Sequence, residues 1–143
     1  KGGQRGGTDT IGLNIKLPHE QEPNPYQDIS LNYNNFFSRK STFIECSEAF
    51  ISMPGGFGTL DELSEALTLI QTGKKEAVPI ILVDSGFWAP LVDWFRDALL
   101  EEGTISPEDM ELFHMADTVD ETVELFLDLC INKTGCTPFP KRA

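Results

Sequence analysis

Apolar residues alternate with period two at Ile11, Leu13, Ile15 and Leu17, which predicts a strand ended by Pro18. Residues 18–27 are polar and carry Pro18, Pro23 and Pro25, so they read as a loop. A second short alternation follows at Ile29, Leu31 and Tyr33. Over residues 35–46, Phe36, Phe37, Phe43 and Ile44 recur in a broadly helical pattern, and residues 49–53 form a short apolar strand cut off by Pro54-Gly55-Gly56. The best-marked helix starts at Thr59, with Leu60, Leu63, Leu67 and Ile70 at helical spacing and Gly73 as its stop. Residues 78–83 are almost entirely apolar, as in a strand buried on both faces of a parallel sheet. Another helix is predicted over 90–102, ended by Gly103. Ser106-Pro107-Glu108-Asp109 supplies a cap, a first-turn proline and two first-turn acids for a short helix. Thr118 with Glu121 makes a capping box for a last amphipathic helix carrying Val123, Phe126 and Leu127, and residues 133–143 read as a disordered tail.

Strands that alternate with helices predict an α/β fold, here a Rossmann-like doubly wound parallel sheet with helices on both faces. Residues 1–132 read as a single domain. The chain opens on the glycine-rich stretch Lys1-Gly2-Gly3-Gln4-Arg5-Gly6-Gly7 with no strand before it, whereas a doubly wound domain begins with its central strand. The opening therefore reads as the middle of a domain whose first strands are missing.

Charge narrows the partners. With 11 basic against 23 acidic residues, the net charge of −12 repels nucleic-acid backbones, and an anionic ligand needs local positive potential. Cys46, Cys130 and Cys136 are odd in number and form no Cys-x-x-Cys pair, which fits a reduced cytoplasmic protein without a disulfide framework. His19-Glu20 is not a metalloprotease motif, because the required second histidine is Pro23, so no metal site is read. No apolar run is long enough for a membrane span, and no signal peptide is visible.

The informative segment is Pro54-Gly55-Gly56-Phe57-Gly58-Thr59-Leu60-Asp61-Glu62, between an apolar strand and a helix N-terminus. Glycines permit unusual backbone angles and the close approach of a ligand. Their N–H groups and the first helical turn make a cradle for an anion, and phosphate is its natural guest. Thr59-x-x-Glu62 has two readings at this point: a plain capping box, or a threonine and a glutamate committed to a ligand.

This segment matches Pro-Gly-Gly-x-Gly-Thr-x-x-Glu, and Arg39-Lys40 lies 23 residues before Glu62, as the corresponding Arg-Lys pair does in the phosphoribohydrolases long labelled lysine decarboxylases. On these residues the chain resembles the cytokinin-activating phosphoribohydrolase family from about Gly12 to Asp117, including the stretch Leu17 to Tyr26 and the turn Gln71 to Lys74. The resemblance implies hydrolysis of the base–ribose bond of a purine nucleoside 5′-monophosphate, either AMP or a cytokinin-type analogue. It implies Arg39 and Glu62 as the catalytic pair, Gly56, Gly58 and Thr59 as phosphate ligands with Gly55 shaping the loop, and Thr68 and Lys40 as substrate contacts. Thr68 also reads as a packed helical threonine, Lys40 as an exposed lysine and Glu65 as a helix-surface residue. The expected partners are a small nucleotide and a second copy of the chain, with no cofactor. No motif points to a lysine Schiff base. A carrier or other nucleotide-binding protein that keeps the glycine loop without hydrolysis is the alternative.

Overall fold

Ile80, Ile81 and Leu82 have 0% solvent exposure, and they form the strand around which the larger part of the chain is built. The structure is a computed structural model that describes residues 1–17 and 22–130. Pro18 as a strand stop, part of the 18–27 loop and the tail over 133–143 lie outside the described residues. The chain divides into two compact units, at residues 1–47 and 48–143.

In the first unit a single helical turn, α1 (Gly2–Arg5), precedes β1 (Ile11–Ile15) and β2 (Ile29–Tyr33). The two strands pair in parallel, with Ile11 opposite Ile29 and Ile15 opposite Tyr33. α2 (Phe36–Glu45) packs against both strands and buries Ile44. Asn35 opens this helix, its Oδ1 accepting from the Ser38 N–H at 2.9 Å.

The second unit carries β3 (Phe50–Ser52), α3 (Phe57–Gln71), β4 (Ile80–Val83), α4 (Ser85–Trp94), β5 (His114–Ala116) and α5 (Val119–Asp128). Its sheet is parallel, in the order β3-β4-β5, with Ser52 opposite Leu82 and Val83 opposite Ala116. The apolar run expected to be buried is its central strand, and α4 and α5 pack on it. Both units are therefore parallel α/β, as the alternation of elements predicts.

Several elements differ from the sequence reading, among them the turn α1, where no element was read, and α3, which starts before Thr59. β5 carries only three residues, too short for a period-two pattern, and was not read as a strand. α4 starts at Ser85 rather than near Pro90, because Asp84 caps it by accepting from the Phe87 N–H at 3.1 Å. Pro90 sits inside the helix, where its ring nitrogen offers no N–H. The helix then widens into a π-helical stretch over Phe95–Leu100, a form that sequence periodicity does not mark. The two predicted glycine stops hold: Gly73 and Gly103 take φ of 66° and 67°, which a side chain would resist.

The remaining caps form as read. Ser106 and Asp109 close a capping box on the 3₁₀ turn Pro107–Glu111. Thr118 Oγ1 accepts from the Glu121 N–H, while Glu121 reaches past the cap to the Asp117 N–H at 2.8 Å. The Asp109 carboxyl is held below the usual carboxylate range, first by the Ser106 N–H and then by Gln71. A carboxylate with a depressed folded-state pKa contributes stability above its unfolded value of about 3.9, and that contribution is lost as pH falls through the folded value. Asp109→Asn should therefore lower the melting temperature at pH 6 and make little difference at pH 2, which parallel thermal scans at the two pH values would check.

Candidate functional site

The carboxyl ends of β3, β4 and β5 lie side by side, and the signature begins where β3 stops. Residues 53–56 form the expected loop and Gly56 is the N-cap of α3, with extended backbone at φ −100° and ψ −152°. The helix therefore starts at Phe57, and Thr59 is its third residue. This excludes Thr59-x-x-Glu62 as a capping box at this terminus.

Gly56 has no side chain with which to cap α3. α2, α4 and α5 are all capped by side chains, from Asn35, Asp84 and Thr118. The first N–H groups of an α-helix have no intrahelical acceptor, so α3 presents its donors and the positive end of its dipole at the carboxyl edge of the sheet. Two acids share this edge, but both are engaged at the start of α4. Asp84 accepts from Phe87 N–H and takes a left-handed backbone at φ 77°, and Asp117 Oδ1 accepts from the Ser85 N–H at 2.8 Å. Hydrogen bonds from Ser85 hold the Asp117 carboxyl below its ordinary range.

The glycines serve space rather than unusual angles, because none of Gly55, Gly56 and Gly58 has positive φ. A Cβ on Gly55 would collide with the Thr59 hydroxyl and stand 2.8 Å from Thr59 Cβ. At Gly56 and Gly58 a Cβ would meet nothing within 4 Å, so their bare backbone faces open space. Gly55→Ala should therefore cost about 1–3 kcal/mol by overpacking. Gly58→Ala, in helical conformation, should stabilise the fold by about 0.4–1 kcal/mol while weakening phosphate binding through its new methyl group. Melting curves with and without inorganic phosphate would separate the two effects; a Gly58→Ala protein that binds phosphate normally removes this residue from the site.

Glu62 lies in the second turn of α3, half-buried, with Oε2 shielded from solvent. Glu65, expected on the helix surface, is also half-buried with a shielded Oε2. Thr68 is exposed rather than packed, and its hydroxyl donates to Ser64 O at 2.7 Å. It borders an apolar cavity of about 170 Å³ lined by Leu67, Phe95, Leu99 and Phe113. In the first unit, Arg39 and Lys40 are half-buried on α2, so Lys40 is not the exposed lysine of the simpler reading. Arg39 Nε donates to Leu13 O at 2.8 Å, and the side chain lines a polar cavity of about 640 Å³. The structure thus gathers Gly55, Gly56, Gly58 and Thr59 at one turn, and Arg39 and Lys40 on another helix. Sequence reasoning missed Asp84, whose left-handed backbone leaves no trace in residue pattern. Among the described residues no cluster suited to a metal ion occurs, and no helix is long and apolar enough to cross a membrane.

The profile of the family described as "Possible lysine decarboxylase" matches residues 1–126, and the chain belongs to that family. It is 34% identical over 121 residues to cytokinin riboside 5′-monophosphate phosphoribohydrolase LOG3 of Arabidopsis thaliana, covering 83% of this chain and 55% of the relative. It is also 34% identical over 121 residues to phosphoribohydrolase LOG of Oryza sativa subsp. japonica, with 82% and 49% covered. A third relative, the probable phosphoribohydrolase LOG6 of Arabidopsis thaliana, is 39% identical over 92 residues, with 64% and 43% covered. The chain thus spans about half the length of the first curated relatives it matches, 55% and 49% of them.

Proposed function

We propose that this protein hydrolyses the N-glycosidic bond of a purine nucleoside 5′-monophosphate, AMP or a cytokinin riboside 5′-monophosphate, releasing free base and ribose 5-phosphate. The observation that carries this reading is the uncapped start of α3, where the Pro-Gly-Gly-x-Gly-Thr-x-x-Glu signature offers bare backbone at Gly56 and Gly58. The names of the relatives support it.

The 5′-phosphate takes the N–H donors of this turn and the Thr59 hydroxyl, with Gly55 shaping the loop. Thr68 and Lys40 contact the rest of the nucleotide. Cleavage passes through an oxocarbenium-like state with positive charge on the ribose and negative charge on the departing base. Glu62, as a carboxylate, stabilises the ribose cation or orients the water that adds to C1′. A guanidinium offers donors and no acceptor, so Arg39 balances the charge of the leaving purine. Water supplies the hydroxyl left on C1′ and the proton taken up by the base, so no cofactor enters.

The test is to incubate the intact protein with AMP and with a cytokinin riboside 5′-monophosphate and to measure free base. Release from either supports the reading. Tight binding without release would turn the protein into a carrier. We also infer a homodimer, since Phe36 and Phe37 of α2 are 53% and 83% exposed. Light scattering that returns a monomer would overturn it.

A further inference from the structure

The apolar cavity of about 170 Å³ in the second unit plays no part in the chemistry above, apart from Thr68 at its rim. It opens between α3, the π-helical stretch Phe95–Leu100 and the 3₁₀ turn Pro107–Glu111. Leu67, Phe95, Leu99, Ile105, Met110 and Phe113 supply its walls. Protein interiors keep few voids larger than one water, and a cavity lowers stability in proportion to its volume. π-helical stretches are rare and recur at functional sites. Here the two features coincide, since Phe95 and Leu99 of that stretch form one wall.

The polar groups at the rim are turned to other partners. Ser64 Oγ donates to Asp61 O at 3.2 Å, and Thr68 Oγ1 to Ser64 O at 2.7 Å. Gln71 Nε2 donates to Asp109 Oδ2 at 2.7 Å, and the same oxygen accepts from the Ser106 N–H at 2.8 Å. A bound water needs about two to four polar partners, which these walls do not provide. An apolar cavity of about 150 Å³ with leucine, isoleucine and phenylalanine walls takes benzene. Drug-sized ligands need about 300–1,000 Å³ and are too large. The cavity also faces away from the reacting carboxylate. At about 100° of turn per residue, Leu67 and Gln71 lie about 140° and 180° around α3 from Glu62. A purine whose C1′ is held at Glu62 therefore has the body of the helix between itself and these walls.

We propose that this cavity is a second ligand site, which takes a small uncharged apolar molecule of about benzene's size independently of the nucleotide. The walls supply the apolar contact, and the Asp109 carboxylate at the rim disfavours an anion. The link from Gln71 to Asp109 joins α3 to the 3₁₀ turn at that rim and holds the two sides in register. The site stands apart from the hydrolase reading and does not depend on it.

The test uses benzene as the probe on the intact protein, read by thermal melting and by calorimetry. At about ten times its dissociation constant, benzene should raise the melting temperature by about 3–8 °C. Benzoate carries the same ring with a charge, and should give no rise. Leu99→Trp fills the cavity and should abolish the benzene effect. Leu67→Phe adds less volume, should weaken benzene binding about ten-fold or more, and decides the matter if the tryptophan variant does not fold. A parent that ignores benzene overturns the proposal, as does an equal response to benzoate. A folded Leu99→Trp or Leu67→Phe protein with the parental affinity overturns it too. Adding a cytokinin riboside 5′-monophosphate should leave the affinity for benzene unchanged. Its loss would make the cavity a pocket for the nucleotide's own substituent and end the separate site. Benzene binding is read without turnover, so a protein that binds it and releases no base keeps this site and loses the hydrolase reading. Base release without benzene binding would do the reverse.

Discussion

Glu62→Gln and Arg39→Ala are each expected to slow base release by about a hundred- to a thousand-fold, corresponding to about 2.7–4 kcal/mol of barrier. The glutamine keeps the shape of Glu62 and removes only its charge, so the fold should be retained. A capping role would instead cost about 0.5–2 kcal/mol of stability and spare the rate. The structure already argues against that role, because Gly56 occupies the N-cap position of α3, six residues before Glu62. Arg39→Ala also deletes the bond from Nε to Leu13 O, which adds about 0.5–1.5 kcal/mol of destabilisation. Thermal melting and adenine release measured on the same samples separate the contributions. A Glu62→Gln protein that melts early and turns over normally would make Glu62 structural, and the assignment would then rest on Arg39 alone.

Trp88→Ala should destabilise the protein by about 3–5 kcal/mol, a large fraction of the stability of an ordinary domain. Trp88 is 1% exposed, meets Phe87 edge-on at 5.0 Å between ring centroids, and donates from Nε1 to Val83 O at 3.1 Å. Removing the ring opens a cavity against β4 and takes a donor from the carbonyl that ends that strand. Trp88→Phe keeps most of the volume and loses the N–H, so it should cost about 1–3 kcal/mol. Urea denaturation would measure both. A Trp88→Ala loss under 1 kcal/mol would mean that the sheet does not depend on this contact.

What could be read from the sequence is what chain-local chemistry decides. The apolar run that became β4, the glycine stops at Gly73 and Gly103, and the caps at Ser106 and Thr118 are each set by neighbouring residues. The strand, loop and helix around Pro54 also follow from local signals, and so does their place at the edge of the sheet. The misreadings concern tertiary choices. β5 owes its existence to pairing with β4, not to a pattern of its own. Thr59 looks like a cap until the structure shows Gly56 taking that position, and Glu65 looks like a surface residue until packing shields its Oε2. The signature's glycines suggested unusual angles, yet what they supply is room. The carboxamides of Asn14 and Gln27, 13 residues apart, donate to each other, a pairing that no periodicity reports.

The contact between Gly55 and Thr59 also bears on how this loop can change over generations. A methyl group at position 55 and the present side chain at position 59 exclude each other, so neither substitution is judged alone: its effect depends on its partner. A lineage that gains a larger residue at 55 must first shrink residue 59, and in doing so it gives up the Thr59 hydroxyl or the branch that fills the turn. The reverse order passes through a protein with a clash in this loop. Drift at these two positions is therefore path-dependent, and the pair is held in place by the absence of a harmless intermediate.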